Sequence, residues 1–318
     1  MWLVKSEDAT NSEYGKSPNE RTVGELIKSS VIIVDKNAGP TSHQVTAWAK
    51  NIFSAKLAGH GGTLDPGVTG VLPVALDNAT KIMSVLSGLD KEYICVMHLH
   101  KEVPEDVLRK TISDKFLGKI RQTPPKKSAV ERRERERTIH FFDILEIEGK
   151  DVLFKVGCEA GTYIRKLCDD IGRTLGTGAH MSELRRTKAG NFTEDDAHSL
   201  VSVRDAFEFW KSNDEKKLRA MLIPAEYAIP NVKKIFVKDS AVDALCNGAP
   251  LYPSGAARIQ EDIAKGETVA LMTLKEELIA LGIAKMTSEE ILKRKTGIVA
   301  RVDRVLMQRG IYPKWNKA

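Results

Sequence analysis

The sequence predicts a mixed α+β protein organised as about two domains. The chain has 318 residues, which is long enough to bury more than one apolar core. Runs of β-branched residues, such as 31–34, alternate with segments of helical spacing, such as 45–53. Past Pro224 and Pro230 the chain changes character. We therefore expect a domain boundary near residue 230.

The first elements follow from local spacing. Residues 31–34 predict a short buried strand. Hydroxyl residues at 41–42 can cap a helix, and its apolar spacing continues until Gly59, where we expect it to stop. Residues 91–99 have the composition of a strand.

A hairpin and a second helix come next. Apolar alternation on both sides of Glu148-Gly149-Lys150-Asp151 predicts a β-hairpin over 142–158. Thr162 is the expected N-cap of the following helix, and an apolar stripe over 164–175 marks its buried face.

Composition excludes several classes of protein. No stretch of about 18 apolar residues is present, so no membrane-spanning helix is predicted. Residues 1–8 combine a short apolar patch with an acidic continuation, unlike a signal peptide, which predicts an intracellular, cytoplasmic protein. The net charge of +6 permits a nucleic-acid partner without requiring one.

Neither a metal centre nor a disulfide framework is expected. The cysteines show no C-x-x-C pairing and have apolar neighbours, as buried free thiols in a reducing compartment do. They are Cys95, Cys158, Cys168 and Cys246. His98 and His100 alternate on one strand face, but the sequence offers no third ligand.

One stretch, 59–73, gathers five glycines and two prolines around a single carboxylate, Asp65. Glycine permits positive φ and the close approach of a ligand, and Pro66 pushes Asp65 out of the α region. Asp65 is therefore expected on a sharp, pre-shaped loop. On these observations alone, the commoner interpretation is an Asx turn whose carboxylate caps backbone N–H groups.

This loop and several other segments resemble the TruB/dyskerin family of RNA pseudouridine synthases. The matching segments are 35–42 (Asp-Lys-x-x-Gly-Pro-Thr-Ser), 59–74, 79–81, 91–93 (Lys-Glu-Tyr), 161–165 (Gly-Thr-Tyr-Ile-Arg) and 184–186 (Leu-Arg-Arg). Residues 14–21 are similar to the N-terminal extension of archaeal and eukaryotic dyskerins. The absence of a long lysine-rich tail makes the archaeal type the better match.

The resemblance implies a pseudouridine synthase fold, in which helices flank a mixed, mainly antiparallel sheet, with a C-terminal PUA β-barrel. It implies an N-terminal extension over 1–30 that packs on the PUA domain, a catalytic domain over 31–230 and a PUA domain over 231–318. Residues 276–282 have helical spacing where the family implies a strand. We expect the strand, because tertiary context commonly overrides the propensity of short segments.

The resemblance implies three catalytic residues. Asp65 matches the family's catalytic aspartate, which acts as a nucleophile at the sugar or as a base that removes a ribose proton. Arg165 is implied as its ion-pair partner, although its helix also allows an i,i+4 pair with Asp169. Tyr93 would stack on the uracil and is a candidate relay for the C5 proton. Base and sugar are recombined without redox, so no cofactor is implied.

Four further residues are implied to bind the substrate. Lys36 would lie near the mouth of the site and position the loop or a phosphate, although without the family an ordinary turn lysine is the plainer interpretation. His60 suits a wedge or stacking role beside the extracted nucleotide. Tyr163 and Leu184 would complete the walls of the base pocket.

Residues 121–140 carry the densest charge in the chain. A helix would allow i,i+4 ion pairs, a solvated face needs no partner, and an extended arm would place Arg133, Arg135 and Arg137 on one face. Pro124-Pro125 favours a loop entry, and the segment resembles the family's thumb region beside the RNA groove. We therefore favour the arm, with phosphate contacts as its role.

The extension and the PUA domain imply partners as well as a reaction. Relatives of this type work in an H/ACA ribonucleoprotein, where a guide RNA selects uridines in rRNA, with tRNA as a further candidate substrate, and small accessory proteins complete the particle. One alternative is a stand-alone tRNA pseudouridine synthase. Another is a non-catalytic assembly scaffold, against which the joint presence of Asp65, Tyr93 and Arg165 argues.

Overall fold

The computed structural model describes residues 1–124, 131 and 133–314. Within these residues the backbone forms sixteen strands and ten α-helices, arranged around two sheets. The predicted α+β class is therefore confirmed. No helix in the described part of the chain has the length and apolar character needed to span a membrane.

The elements are numbered in chain order. The strands are β1 Trp2–Val4, β2 Ser30–Lys36, β3 Ala58–His60, β4 Thr69–Leu76, β5 Lys91–Leu99, β6 Gly118–Gln122, β7 Arg135–Glu148, β8 Asp151–Cys158, β9 Ala179–Ala189, β10 Phe192–Thr193, β11 Ile223–Pro224, β12 Lys233–Val237, β13 Ala256–Gln260, β14 Thr268–Met272, β15 Leu278–Ala284 and β16 Ala300–Val305. The helices are α1 Val23–Ile27, α2 Ser42–Ile52, α3 Met83–Ser87, α4 Glu105–Lys115, α5 Ile164–Thr174, α6 Leu200–Lys211, α7 Lys216–Met221, α8 Ala225–Ala228, α9 Asp239–Cys246 and α10 Ser288–Lys293.

The larger sheet has ten strands, in the order β11-β2-β4-β9-β5-β8-β7-β6, with β3 beside β4 and β10 beside β9. Strand β2 is buried on both faces, because Ile32 and Val34 enter one apolar core while Val31 and Ile33 enter a second. This explains its continuous apolar sequence. Every pairing in this sheet is antiparallel except that of β4 with β9.

The contact between β4 and β9 depends on a glycine. Gly70 lies opposite Arg186 in the parallel register, at a φ of +104°. A Cβ at this position would lie 2.2 Å from the carbonyl oxygen of Arg186. Only glycine therefore allows the strand that follows the Asp65 loop to approach β9.

The smaller sheet has six strands, in the order β1-β13-β12-β14-β15-β16. The first strand of the chain thus completes a sheet built from the last third of the sequence, with Leu3 opposite Ile259. An apolar cluster joins the two sheets, since it contains Ile33 and Val71 from the larger and Phe236 and Leu281 from the smaller.

Several predicted elements are confirmed: the strands at 31–34 and 91–99, the hairpin over 142–158, and the strand that follows Glu276. Strand β15 lies between β14 and β16 and is almost wholly buried. Hydrogen bonding to a strand on each edge makes this segment a strand, although its local apolar spacing is helical. All four cysteines are free and buried, as expected.

Two predicted helix boundaries are wrong. Helix α2 ends at Ile52 rather than at Gly59, because Ser54 adopts a φ of +49° and Phe53 turns into the core against Phe207. The N-cap of α5 is Tyr163 rather than Thr162. The Thr162 hydroxyl instead donates to the carbonyl of Glu159 at 2.7 Å, within the preceding turn.

Candidate active site

Asp65 lies on the loop between β3 and β4, and its carboxylate pairs with the guanidinium of Arg165 in the first turn of α5. Their side chains are 51% and 48% exposed, so the pair faces an open surface. The alternative pair of Arg165 with Asp169 does not form. The Asp169 carboxylate lies 3.0 Å from the Lys166 ammonium and 3.1 Å from the Arg173 guanidinium.

The backbone beside Asp65 is fixed by a serine that the sequence analysis did not single out. The Ser42 hydroxyl accepts from the N–H of Leu64 at 2.8 Å and donates to its carbonyl at 3.0 Å. On the other side, the Gly39 N–H donates to the carbonyl of Pro66 at 2.9 Å. In the sequence, the hydroxyl residues at 41–42 indicated a helix cap and gave no sign of this contact with Leu64.

Lys36 holds the same loop from its buried side. Its side chain is buried, and its ammonium donates to the carbonyls of Asn37, Pro66 and Val68 at 3.0, 3.0 and 2.7 Å. Burial lowers the pKa of Lys36 from its usual value. Three carbonyls use all three N–H donors of an ammonium. Of the two roles expected for Lys36, this geometry favours positioning the loop over contacting a phosphate.

Tyr93 and Arg186 face each other from β5 and β9 on the buried side of the site. The Arg186 guanidinium donates to the carbonyl of Val71 at 2.7 Å and to that of Gly62 at 3.2 Å, which ties the glycine loop to the sheet. Burial raises the pKa of the Tyr93 phenol, although the charge of Arg186 opposes this. Tyr93 is therefore a neutral phenol at pH 7.

His60 lies at the end of β3, opposite Val74 of β4. Its ring meets that of His43 edge to face, with 4.9 Å between centroids. Its Nδ1 atom is buried and has no hydrogen-bond partner among the described residues. Burial, with smaller contributions from His43 and Arg186, lowers the pKa of His60 to about 4. A neutral, flat ring therefore borders the Asp65 loop.

We expect His60 to titrate well below a normal histidine. Its folded-state pKa of about 4 lies under the unfolded value of about 6.5, so the unfolded state binds more protons between these values. The contribution of His60 to stability is therefore complete above about pH 6.5 and falls as the pH drops towards 4. NMR titration of the histidine ring protons, with a His60→Gln variant to assign the signal, measures this; a midpoint near 6.5 would contradict it.

The remaining predicted residues form the other side of the site. Tyr163 is half-buried at the N-cap of α5, two residues before Arg165. Leu184 is half-buried on β9, opposite Cys95 of β5. Strands β2 and β3 thus carry Lys36 and His60, whereas β5, β9 and the start of α5 carry the other four, and the Asp65 loop joins the two sides.

The described part of the charged segment is extended, as predicted, from Arg135 onward, where β7 pairs with β6. Ion pairs Lys119–Glu136 at 2.8 Å and Arg121–Glu134 at 3.5 Å neutralise charges of this ribbon. Arg135 and Arg137 lie on the opposite face, and their Nε atoms are buried without a hydrogen-bond partner in the described parts of the chain. Residues 125–130 and 132, which the arm prediction also covers, lie outside the described residues.

A third histidine, His180, lies beside His98 and His100, and the sequence alone did not reveal this. The ring nitrogens of His100 and His180 lie 3.0 Å apart, and His98 lies 2.7 Å from the Asp151 carboxylate. His100 and His180 thus bind each other, and His98 binds Asp151. Among the described residues, no group of three or more histidine, cysteine or acidic side chains is placed to hold a metal ion.

Four protein-family profiles match successive parts of the chain. They are the DKCLD (NUC011) domain over 1–46, the N-terminal domain of TruB family pseudouridylate synthases over 50–164, the C-terminal domain of tRNA pseudouridylate synthase B over 165–230, and the PUA domain over 233–306. The PUA match covers β12 to β16 of the smaller sheet.

Two archaeal relatives are similar over nearly their whole length, and both are named probable tRNA pseudouridine synthase B. The protein of Methanocaldococcus jannaschii is 52% identical, over 99% of this chain and 94% of its own. That of Methanopyrus kandleri is 51% identical, over 98% and 92%.

Two solved structures are similar over 99% of this chain and 96% of their own. One is described as a Cbf5-Nop10-Gar1 complex, with 48% identity and a TM-score of 0.92. The other is described as an H/ACA RNP bound to a substrate RNA containing 2'-deoxyuridine, with 46% identity and a TM-score of 0.90.

Proposed function

The chain belongs to the TruB family of pseudouridylate synthases, and we propose that it isomerises selected uridines as the catalytic subunit of a guide-RNA-directed H/ACA ribonucleoprotein. Similarity to the protein in an H/ACA RNP with bound substrate RNA supports this, because it covers 99% of the chain. The expected targets are uridines of rRNA, with tRNA as a further substrate. The expected partners are a guide RNA and small accessory proteins.

The observation that carries the proposal is the ion pair between Asp65 and Arg165 on an open, glycine-rich loop. Bound RNA would cover both half-exposed side chains and remove water from them. Desolvation disfavours an ionised carboxylate, whereas a nearby guanidinium favours it. Arg165 would therefore keep Asp65 ionised in the covered site, where the reaction needs a carboxylate beside the ribose.

The reaction exchanges one bond for another. The N1–C1′ bond breaks with its electron pair leaving on uracil N1, the detached base turns, C5 bonds to C1′, and the proton on C5 is lost as N1 gains one. Asp65 acts on the ribose, either by bonding to C1′ or by removing a ribose proton; both require the ionised form. The base and the sugar are both retained in the product.

The neighbouring side chains suit a pocket that holds the free base. Tyr93, a buried neutral phenol, offers a ring for stacking and a hydroxyl for relaying the C5 proton. His60 offers a neutral ring beside the loop for the extracted nucleotide, which offsets part of the unstacking cost of a few kcal/mol. Tyr163 and Leu184 supply the apolar walls.

The RNA backbone would follow the face of the β6–β7 ribbon that carries Arg135 and Arg137. Both lie on the side opposite the Lys119–Glu136 and Arg121–Glu134 pairs, and the Arg137 guanidinium also lies 3.5 Å from the Glu159 carboxylate. Arginine suits phosphate contacts because its planar fork binds two oxygens at once. The proposed PUA domain over 231–318 would bind the guide RNA, with the extension over 1–30 packed on it; the pairing of β1 with β13 supports this division.

Stand-alone action on tRNA is the second candidate. The names of the curated relatives, probable tRNA pseudouridine synthase B, favour it. It uses the same chemistry at Asp65 but needs no guide RNA to choose the uridine. The two candidates differ only in what selects the target.

A change of guide sequence separates these candidates. The protein is assembled with a guide RNA, accessory proteins and a target RNA, and pseudouridine is mapped along the target. If the guide selects the uridine, changing its pairing segment to match a second site moves the modification to that site. A guide with a scrambled pairing segment is the control. Modification of bare tRNA at an equal rate, unaffected by any guide, would favour the stand-alone enzyme and overturn the guided assignment.

A further inference from the structure

Gln122, the last residue of β6, makes an unusual contact with the active-site helix. Its side chain is buried, with 3% exposure. Its Oε1 atom accepts from the N–H of Tyr163 at 3.0 Å, and its Nε2 atom donates to the carbonyl of Tyr163 at 3.2 Å. Both ends of one carboxamide thus bind both polar groups of one backbone residue.

This arrangement fixes the backbone of Tyr163. A buried amide costs free energy unless its donor and its acceptor are both satisfied, and here one residue satisfies both. Tyr163 is held in an extended conformation, at φ −99° and ψ 102°, as the N-cap of α5. The Tyr163 side chain makes no hydrogen bond to the first turn of α5. The contact from Gln122 therefore helps to hold the start of α5, beside the bond from the Leu167 N–H to the Tyr163 carbonyl at 2.9 Å.

The same contact lies between two parts of the proposed active site. Arg165 is two residues beyond Tyr163, in the first turn of α5, and pairs with Asp65. On its own ribbon, Gln122 lies opposite Arg135, the first residue of the arginine-bearing strand β7. Gln122 is thus connected to the arm through β6–β7 pairing and to the ion pair through α5.

We propose that Gln122 is a positioning residue for pseudouridine formation, which seats the start of α5 so that Arg165 meets Asp65 and links that geometry to the RNA-facing ribbon. This inference rests on the proposed function. Gln122 does not itself touch the reacting groups in this scheme. Its loss would leave RNA binding in place but misalign the guanidinium, and small misplacements near the reacting atoms lower the rate steeply.

The first test needs no activity. Gln122→Met keeps an unbranched side chain of similar length and removes both hydrogen bonds. We expect faster hydrogen exchange at the Tyr163 amide in the free protein, with the melting temperature lower by no more than a few degrees. Gln260→Met is the matched control, because the Gln260 carboxamide accepts from the backbone N–H of Lys234 at 3.0 Å in the smaller sheet. Unchanged exchange at Tyr163 would overturn the structural half of the proposal.

The second test uses the assembled particle. We expect Gln122→Met to lower kcat by about 10- to 100-fold while KM for the target RNA changes by less than about two-fold. Gln260→Met should match the wild type. A merely structural role would lower the melting temperature or raise KM instead, and either pattern without a fall in kcat would overturn the proposal.

A double-mutant cycle with Arg165→Lys tests the route of the effect. If Gln122 acts through Arg165, adding Gln122→Met to Arg165→Lys lowers kcat much less than Gln122→Met lowers it alone. Fully additive losses would overturn the link to the ion pair. A wild-type particle that forms no pseudouridine would contradict the proposed function itself, whereas the exchange measurement at Tyr163 would still decide the role of Gln122 in seating α5.

Discussion

Asp65→Asn is expected to abolish pseudouridine formation, with kcat lower by about 10⁴-fold or more, as for the loss of other essential catalytic groups. The substitution keeps the size of the side chain on a loop fixed by Ser42 and Lys36. It removes the negative charge that both versions of the mechanism require. A neutral carboxamide is a poor nucleophile and a poor base, so the chemical step should fail.

Binding of RNA should survive this change, because the contacts proposed for the phosphates lie on the β6–β7 ribbon. Fluorescence anisotropy with labelled target RNA, beside single-turnover kinetics, separates binding from chemistry. Asp114→Asn, on the exposed surface of α4, is the matched control and should behave as the wild type. An Asp65→Asn enzyme that loses RNA affinity in proportion to its rate would instead indicate a binding role.

Arg165→Ala is expected to lower kcat by about 10²- to 10³-fold, as for the loss of other groups that stabilise charge in a transition state. Without the guanidinium, desolvation by bound RNA would favour the protonated, unreactive form of Asp65. The kcat of Arg165→Lys should lie between those of the wild type and Arg165→Ala, since lysine keeps the charge but not the planar fork. The pH–rate profile is the diagnostic: the acidic limb of kcat should move to higher pH in Arg165→Ala.

Stability should hardly change in these variants. Asp65 and Arg165 are about half exposed in the free protein, and pairs at such sites contribute at most about 1 kcal/mol. Arg173→Ala is the control on the same helix, because Arg173 is exposed and pairs only with Asp169 among the ion pairs of the described residues. An acidic limb that stays in place, despite a large fall in kcat, would contradict the proposed effect of Arg165 on Asp65.

The sequence predicted much of this protein through local patterns and a long family motif. Strand and hairpin positions followed from apolar alternation, and the glycine-rich loop marked Asp65. Predictions from local patterns were wrong, or contradictory, where tertiary contacts determine the secondary structure. The burial of Phe53 against Phe207 helps to end α2 early, and pairing on both edges makes β15 a strand.

The site was predicted less completely than the fold, for a physical reason. Spacing alone left Arg165 with a partner on its own helix, and only the resemblance pointed to Asp65. Ser42, Gln122 and Arg186 were missed because each acts on the backbone of a residue distant in sequence. Such contacts leave no periodic signal, since any polar residue at those positions is compatible with the local element.

The most direct test of the account is the fate of the C5 hydrogen. Target RNA carrying uridine tritiated at C5 is incubated with the assembled wild-type particle and with its Asp65→Asn counterpart. We predict that the wild type releases one tritium for each pseudouridine formed, that no uracil leaves the RNA, and that the Asp65→Asn particle releases none. Free uracil with an abasic site, or undiminished tritium release from Asp65→Asn, would contradict isomerisation at Asp65.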